Sequence, residues 1–195
     1  MRRFLSLLAL LLVCPSKCKA DLNVPQESTG CPGYWIDATL NGLGCLFFNS
    51  SRDHIQDELD VTWLEAAYWC QQPENNASLV QIDSEVQLDF VRSVLMLLQD
   101  NEVLTSWWTG ATDIGREGNY YWAGSLDPVE DFMWSPGQPN AGADANCLIL
   151  FPGSGYLGND VGCVAYKGRR SFICQKKWLI PSSSRSSTVD INGWY

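Results

Sequence analysis

The 195-residue chain predicts an α+β domain, and three observations predict it. Two capped helical segments stand together in the first half. Apolar, aromatic-rich runs with the character of strands follow them. A long segment rich in Gly, Pro, Asp and Asn separates those strands. Helices segregated from an antiparallel sheet make an α+β domain, and a long loop inside a compact domain marks a functional segment.

The domain is not expected to begin at the first residue. Arg2 and Arg3, the apolar run Phe4–Val13, and Cys18 and Ala20 at the −3 and −1 positions predict a signal peptide over residues 1–20. The apolar run is half the ~20 residues that a bilayer requires. A short leader over 21–30, a domain over 31–178 and a Ser-rich tail over 179–195 follow. The expectation is a secreted, extracellular chain without membrane insertion. Past residue 20 it carries 9 basic and 22 acidic residues, a net charge of −13. Such a surface repels nucleic acid and is compatible with divalent cations.

Within the domain, Asn41-Gly42 marks the turn of a hairpin from Cys31 to Phe48. Thr62-Trp63-Leu64-Glu65 is a capping box that opens a helix running to about Gln72. Ser84-Glu85-Val86-Gln87 opens a second helix in the same way. Its Leu88, Val91, Leu95 and Leu98 recur at helical spacing and are expected in the core. Ser106–Gly110 and Tyr120–Ala123 are predicted strands. The segment between Ala123 and Asn146 has no periodicity. Strands return at Cys147–Phe151 and from Cys163 to Lys177.

Six cysteines lie beyond the signal segment: Cys31, Cys45, Cys70, Cys147, Cys163 and Cys174. An even number in an exported chain implies three disulfides, with fifteen connectivities open. The absence of a C-x-x-C pair argues against zinc or redox chemistry. Asn49-Ser50-Ser51 and Asn76-Ala77-Ser78 are glycosylation sequons. His54 has Asp53 beside it but no nucleophile motif, and no pair of acids is marked as glycosidic. The expected role is binding, not catalysis.

Oxygen-bearing side chains gather around the long segment: Asp113, Glu117, Gln138, Asn140, Asp144, Asn146, Asn159 and Asp160. Calcium takes six to eight such oxygens. A cis bond before Pro139 would turn its two neighbours toward one point. Composition alone leaves two accounts open, a calcium site and a polar surface loop.

Three motifs settle on a family. Trp134-Ser135-Pro136-Gly137-Gln138-Pro139-Asn140 resembles the W-x-x-G-E/Q-P-N/D run of C-type lectins. Gly158-Asn159-Asp160-Val161-Gly162-Cys163 resembles their W-N-D-x-x-C run, with Gly158 in place of the usual tryptophan. Trp107-Trp108-Thr109-Gly110 resembles their W-I-G strand. The cysteines fall in the order of the long-form domain, and the resemblance covers about residues 31–178.

The resemblance implies a C-type lectin-like fold with two helices, antiparallel sheets and a long calcium- and ligand-binding loop. It pairs Cys31 with Cys45, Cys70 with Cys174 and Cys147 with Cys163. It implies a sugar-anchoring Ca2+ held by Gln138, Asn140, Asn159 and Asp160. The Glu that completes this set in the family is Ala145 here, and Asp144 substitutes if the loop shifts its register. A second calcium site would use Asp113 and Glu117, with Ala141 and Asn146 where the family has further acids. Glycans of mannose or galactose type are the implied partners. Gln-Pro-Asn lies between the family's mannose-associated Glu-Pro-Asn and galactose-associated Gln-Pro-Asp, which implies weak, permissive binding. Multivalent display, for which a homo-oligomer is one route, then supplies avidity. Ala145 and Gly158 favour the alternative, a calcium-independent protein-binding module on the same fold.

Overall fold

The computed structural model describes residues 30–49, 61–99, 105–164 and 170–177. The signal segment, most of the leader, His54, Ser50 and Ser51 of the first sequon, and the Ser-rich tail lie outside the described residues. Two helices and eight strands follow in chain order: β1 (Ile36–Ala38), β2 (Gly44–Asn49), α1 (Trp63–Cys70), β3 (Ser78–Leu79), α2 (Glu85–Leu98), β4 (Ser106–Thr112), β5 (Tyr121–Trp122), β6 (Cys147–Phe151), β7 (Leu157–Val161) and β8 (Arg170–Lys176).

Local chemistry explains both helix starts. Thr62 Oγ1 accepts from the Glu65 amide at 3.2 Å, and Glu65 Oε2 accepts from the Thr62 amide at 2.8 Å, a complete capping box. These bonds to Thr62 hold the Glu65 carboxyl below its ordinary range. The second box is only half formed. Ser84 caps the Gln87 amide, but Gln87 Oε1 reaches one residue further back, to the Asp83 amide at 2.6 Å. Of the four residues expected to line α2's buried face, Leu88, Val91 and Leu95 are buried, while Leu98 is 46% exposed in the last turn.

The strands form one sheet in the order β1-β2-β8-β4-β6-β7, with β3 also paired to β8 and β5 to β4. The sheet is mixed, because β4 and β8 run parallel while the other pairs are antiparallel. One expected strand is placed differently. Cys163 follows β7, and the last strand begins at Arg170. β7 itself was hidden in the sequence because its Gly158, Asn159 and Asp160 are poor strand formers. Pairing with β6 overrides that preference, with Leu148 opposite Asp160 and Leu150 opposite Gly158.

Two buried clusters form the core. Leu46, Ile82, Leu88, Val91, Leu95, Trp107, Trp122 and Leu150 belong to the one that includes α2. Cys45, Ala66, Cys70, Trp108, Phe172 and Cys174 belong to the one that includes α1. Trp63 Nε1 donates to the Thr109 carbonyl at 2.8 Å and Trp108 Nε1 to the Val61 carbonyl at 2.7 Å, so the half-buried Trp63 and the buried Trp108 both keep their indole hydrogen bonds. The disulfides are Cys31–Cys45, Cys70–Cys174 and Cys147–Cys163. They clip the first hairpin, tie α1 to β8, and brace β6 against the end of β7.

Candidate functional site

The segment between β5 and β6 is laid along the free edge of β7. Asp131–Met133 forms a short 3-10 turn, and Trp134 then makes a parallel bridge to Gly158. The Ser135 amide donates to the Gly158 carbonyl at 2.9 Å. Gly158 explains how the loop comes so close. A Cβ at that position would lie 2.7 Å from the Met133 carbonyl oxygen and 3.2 Å from Leu148 Cδ1. The loop backbone therefore fills space that any larger residue at 158 would occupy. The segment is irregular, but its polar groups are heavily paired.

The four leading site residues share this face of the domain and turn to different partners. Asn159 and Asp160 both reach the loop, at different points along it. Asn159 Oδ1 accepts from Ser135 Oγ at 2.7 Å. Asp160 is 5% exposed and turns to the loop. Its Oδ1 accepts from the Asn140 amide at 3.0 Å, and its Oδ2 accepts from the Asn140 and Ala141 amides at 3.1 and 2.8 Å. Gln138 precedes the cis peptide to Pro139. Among the described residues, its Oε1 is one of two buried side-chain polar atoms without a hydrogen-bond partner. Asn140 contributes its backbone, and the residue is exposed.

Asp144 is exposed in the 3-10 turn Gly142–Asp144. Ala145 is buried, and its carbonyl accepts from the Tyr120 hydroxyl. Asp113 is 2% exposed. Its Oδ2 accepts from the Gly118 amide at 2.8 Å, and its Oδ1 is the second unpartnered atom. Glu117 is exposed. Burial raises the Tyr120 pKa well above its ordinary 10.0, and the charges of Asp113, Asp160 and Glu117 raise it further. Tyr120 thus lies in the field of the predicted acids and stays neutral.

Beside Gln138 lies an open cavity of about 410 Å³, lined by Tyr120, Val129, Asp131, Trp134, Gln138 and Pro139, among others. Tyr120 and Trp134 meet edge to face at 4.7 Å. Sequence analysis assigned no role to Asp131, Ser135 or Tyr120. Ser135 stood inside a quoted motif, but nothing in the pattern pointed it at Asn159.

The motif resemblance implies a calcium ion here, so the donors can be tested against the ion. Gln138 Oε1 has accepting capacity to spare. Asp160 accepts from two backbone amides, Asn159 Oδ1 accepts from Ser135 Oγ, and Ala145 offers no side-chain oxygen. Among the described residues, no three His, Cys, Asp or Glu side chains come together where they could hold a metal ion. One carboxylate, three carboxamides and an alanine at the position of the completing Glu make a poor donor set for an ion that takes six to eight oxygens. The four expected ligands share a face of the domain, where Asn159 bonds Ser135 and Asp160 bonds the amides of Asn140 and Ala141.

The sequon asparagines differ in setting. Asn49 is 6% exposed in β2, whereas Asn76 is exposed at the junction of α1 and β3. No helix among the described residues is long and apolar enough to cross a membrane.

Two helices, a mixed sheet, three disulfides and a long loop carrying a cis proline define the domain class. The chain belongs to the C-type lectin family: the Lectin C-type domain model matches residues 60–176. It is 30% identical over 150 residues to perlucin of Haliotis laevigata, covering 76% of this chain and 84% of that one. Its fold resembles the C-type carbohydrate-recognition domain of cow CD23, whose structure was determined in the presence of a GlcNAc2Man3 oligosaccharide. The TM-score is 0.56 at 25% identity, over 76% of this chain and 97% of that one. Human lithostathine shares the fold with a TM-score of 0.61 at 24% identity, over 82% of this chain and 99% of that one.

Proposed function

We propose that this chain is a secreted lectin that binds glycans at the long-loop face, as a recognition module and not an enzyme. The observation that carries this is the cavity beside Gln138. Its walls pair aromatic and apolar surface from Tyr120, Trp134 and Val129 with the Asp131 carboxylate and the Gln138 carboxamide. Sugars present the matching chemistry, with C–H faces that pack on aromatic rings and hydroxyls that need both donors and acceptors. The site is open to water, so each hydrogen bond contributes little net energy, about 0.5–1.5 kcal/mol. Affinity for a monosaccharide is then weak, on the order of millimolar, and discrimination between mannose- and galactose-type sugars is less than about tenfold. Multivalent display compensates.

This reading does not require calcium, because Ala145 stands where the completing Glu would be and Asp160 is the one carboxylate of the set. Ala145 and Gly158 favour a second reading, a calcium-independent module that recognises protein. Both are tested by passing the secreted protein over mannose- and galactose-conjugated columns, in calcium and in chelator. Retention in both buffers, lost in Trp134→Ala, is expected. Absence of retention on every glycan surface would overturn the lectin reading in favour of a protein ligand. Retention released by chelator would restore the calcium-dependent mode.

A further inference from the structure

We infer that the long loop is locked by the chain itself, with the Asn140 and Ala141 backbone amides clamping Asp160, so that its conformation does not depend on calcium. The inference deepens the proposed function by specifying how the binding face is held, and its test uses no sugar.

Three contacts along β7 make the lock. At its start, the Trp134 bridge and the Ser135 amide, which donates to the Gly158 carbonyl, fasten the loop to β7. In the middle, Ser135 Oγ donates to Asn159 Oδ1 at 2.7 Å. Toward its end, two consecutive amides converge on the Asp160 carboxylate at 2.8–3.1 Å. Hydrogen bonds to an ionised acceptor are among the stronger ones, and this carboxylate is 5% exposed. Two N–H dipoles stabilise its buried charge directly. The far end of the loop is fixed as well: the Ala145 carbonyl accepts from the Tyr120 hydroxyl, and the Asn146 carbonyl accepts from Thr112 Oγ1 at 2.7 Å and from the Asp113 amide at 3.2 Å.

Both departures from the family pattern have a place in this arrangement. A residue larger than glycine at 158 would push Met133 and the loop off β7. Ala145 is buried with its carbonyl engaged, so the position serves the loop through its backbone and not through an oxygen-bearing side chain.

The test is hydrogen exchange and thermal melting of the full secreted chain, in calcium and in chelator. A site with a Kd of ~10⁻³ M would raise the melting temperature by about 3–6 °C in tenfold excess calcium. The lock predicts no such rise, and equal protection of the Asn140 and Ala141 amides in both buffers. Asp160→Asn replaces one acceptor oxygen with a donor. It should cost these amides about tenfold or more in protection, equally with and without calcium. A calcium-induced rise of that size in the parent protein, or chelator exposing the two amides, would overturn the inference. So would an Asp160→Asn variant whose amides stay fully protected. If that variant does not fold, the parent's behaviour in the two buffers still decides.

Discussion

Gly158→Ala is the smallest change that tests how the loop is seated. The added methyl would stand 2.7 Å from the Met133 carbonyl oxygen and 3.2 Å from Leu148 Cδ1. The first contact is with backbone, which cannot rotate away as a side chain can. The loop must therefore lift from β7, straining the Trp134 bridge and the Ser135 amide's bond to the Gly158 carbonyl. Overpacking of this kind costs about 1–3 kcal/mol. Replacing a strand glycine returns about 0.5–1 kcal/mol of backbone entropy, which leaves a net loss of up to about 2.5 kcal/mol, near 1 kcal/mol at the middle of the two ranges. For a domain of this size the middle value lowers the melting temperature by about 2–5 °C. Circular dichroism melting of the parent and the variant measures it, and exchange at the Ser135 amide reports whether the loop is the part that moved. A variant that melts at or above the parent's temperature would refute the close-approach reasoning.

Three further outcomes are expected. Replacing Cys70 and Cys174 with Ser removes a bridge spanning 104 residues. The chain-entropy model values such a bridge at about 4.7 kcal/mol, so urea titration should show most of the domain's stability gone. Thr62→Ala removes the hydroxyl that caps the Glu65 amide and should cost about 1 kcal/mol by the same titration. Tyr120 has its pKa raised above the ordinary 10.0 by burial and by neighbouring acids. The folded protein therefore holds this proton more tightly than the unfolded chain does. The stabilisation is fully present below about pH 10 and is lost as pH rises beyond it. Tyr120→Phe should be less stable than the parent at pH 8, and its stability should fall less steeply above pH 10.

Much of the fold was legible because its signals are local. Thr62 and Glu65 lie within one helical turn, so the box that starts α1 is written in four consecutive residues. The spacing of Leu88, Val91 and Leu95 shows which side of α2 is buried. Leu98 continues the period, but it falls where the helix is leaving the core. β7 was not legible, because Gly158, Asn159 and Asp160 acquire strand geometry only from their neighbour β6. Ser84 and Gln87 matched the capping pattern, yet the longer Gln side chain found the Asp83 amide instead, a choice of rotamer that no spacing encodes.

The sequence by itself determined the class of the domain, the three cysteine pairs implied by its family motifs, and the loop on which binding is proposed. Each of these depends on residue identity, order and spacing. Only the tertiary structure decided what the site residues do. The quoted motifs place Gln138, Asn140, Asn159 and Asp160 together on paper, but side-chain direction comes from the strand that carries them. β7 turns Asn159 toward Ser135 and Asp160 toward the amides of Asn140 and Ala141. A ligand set requires oxygens converging on a point, and convergence belongs to the packing of the loop against β7, where the smallness of Gly158 sets the distance.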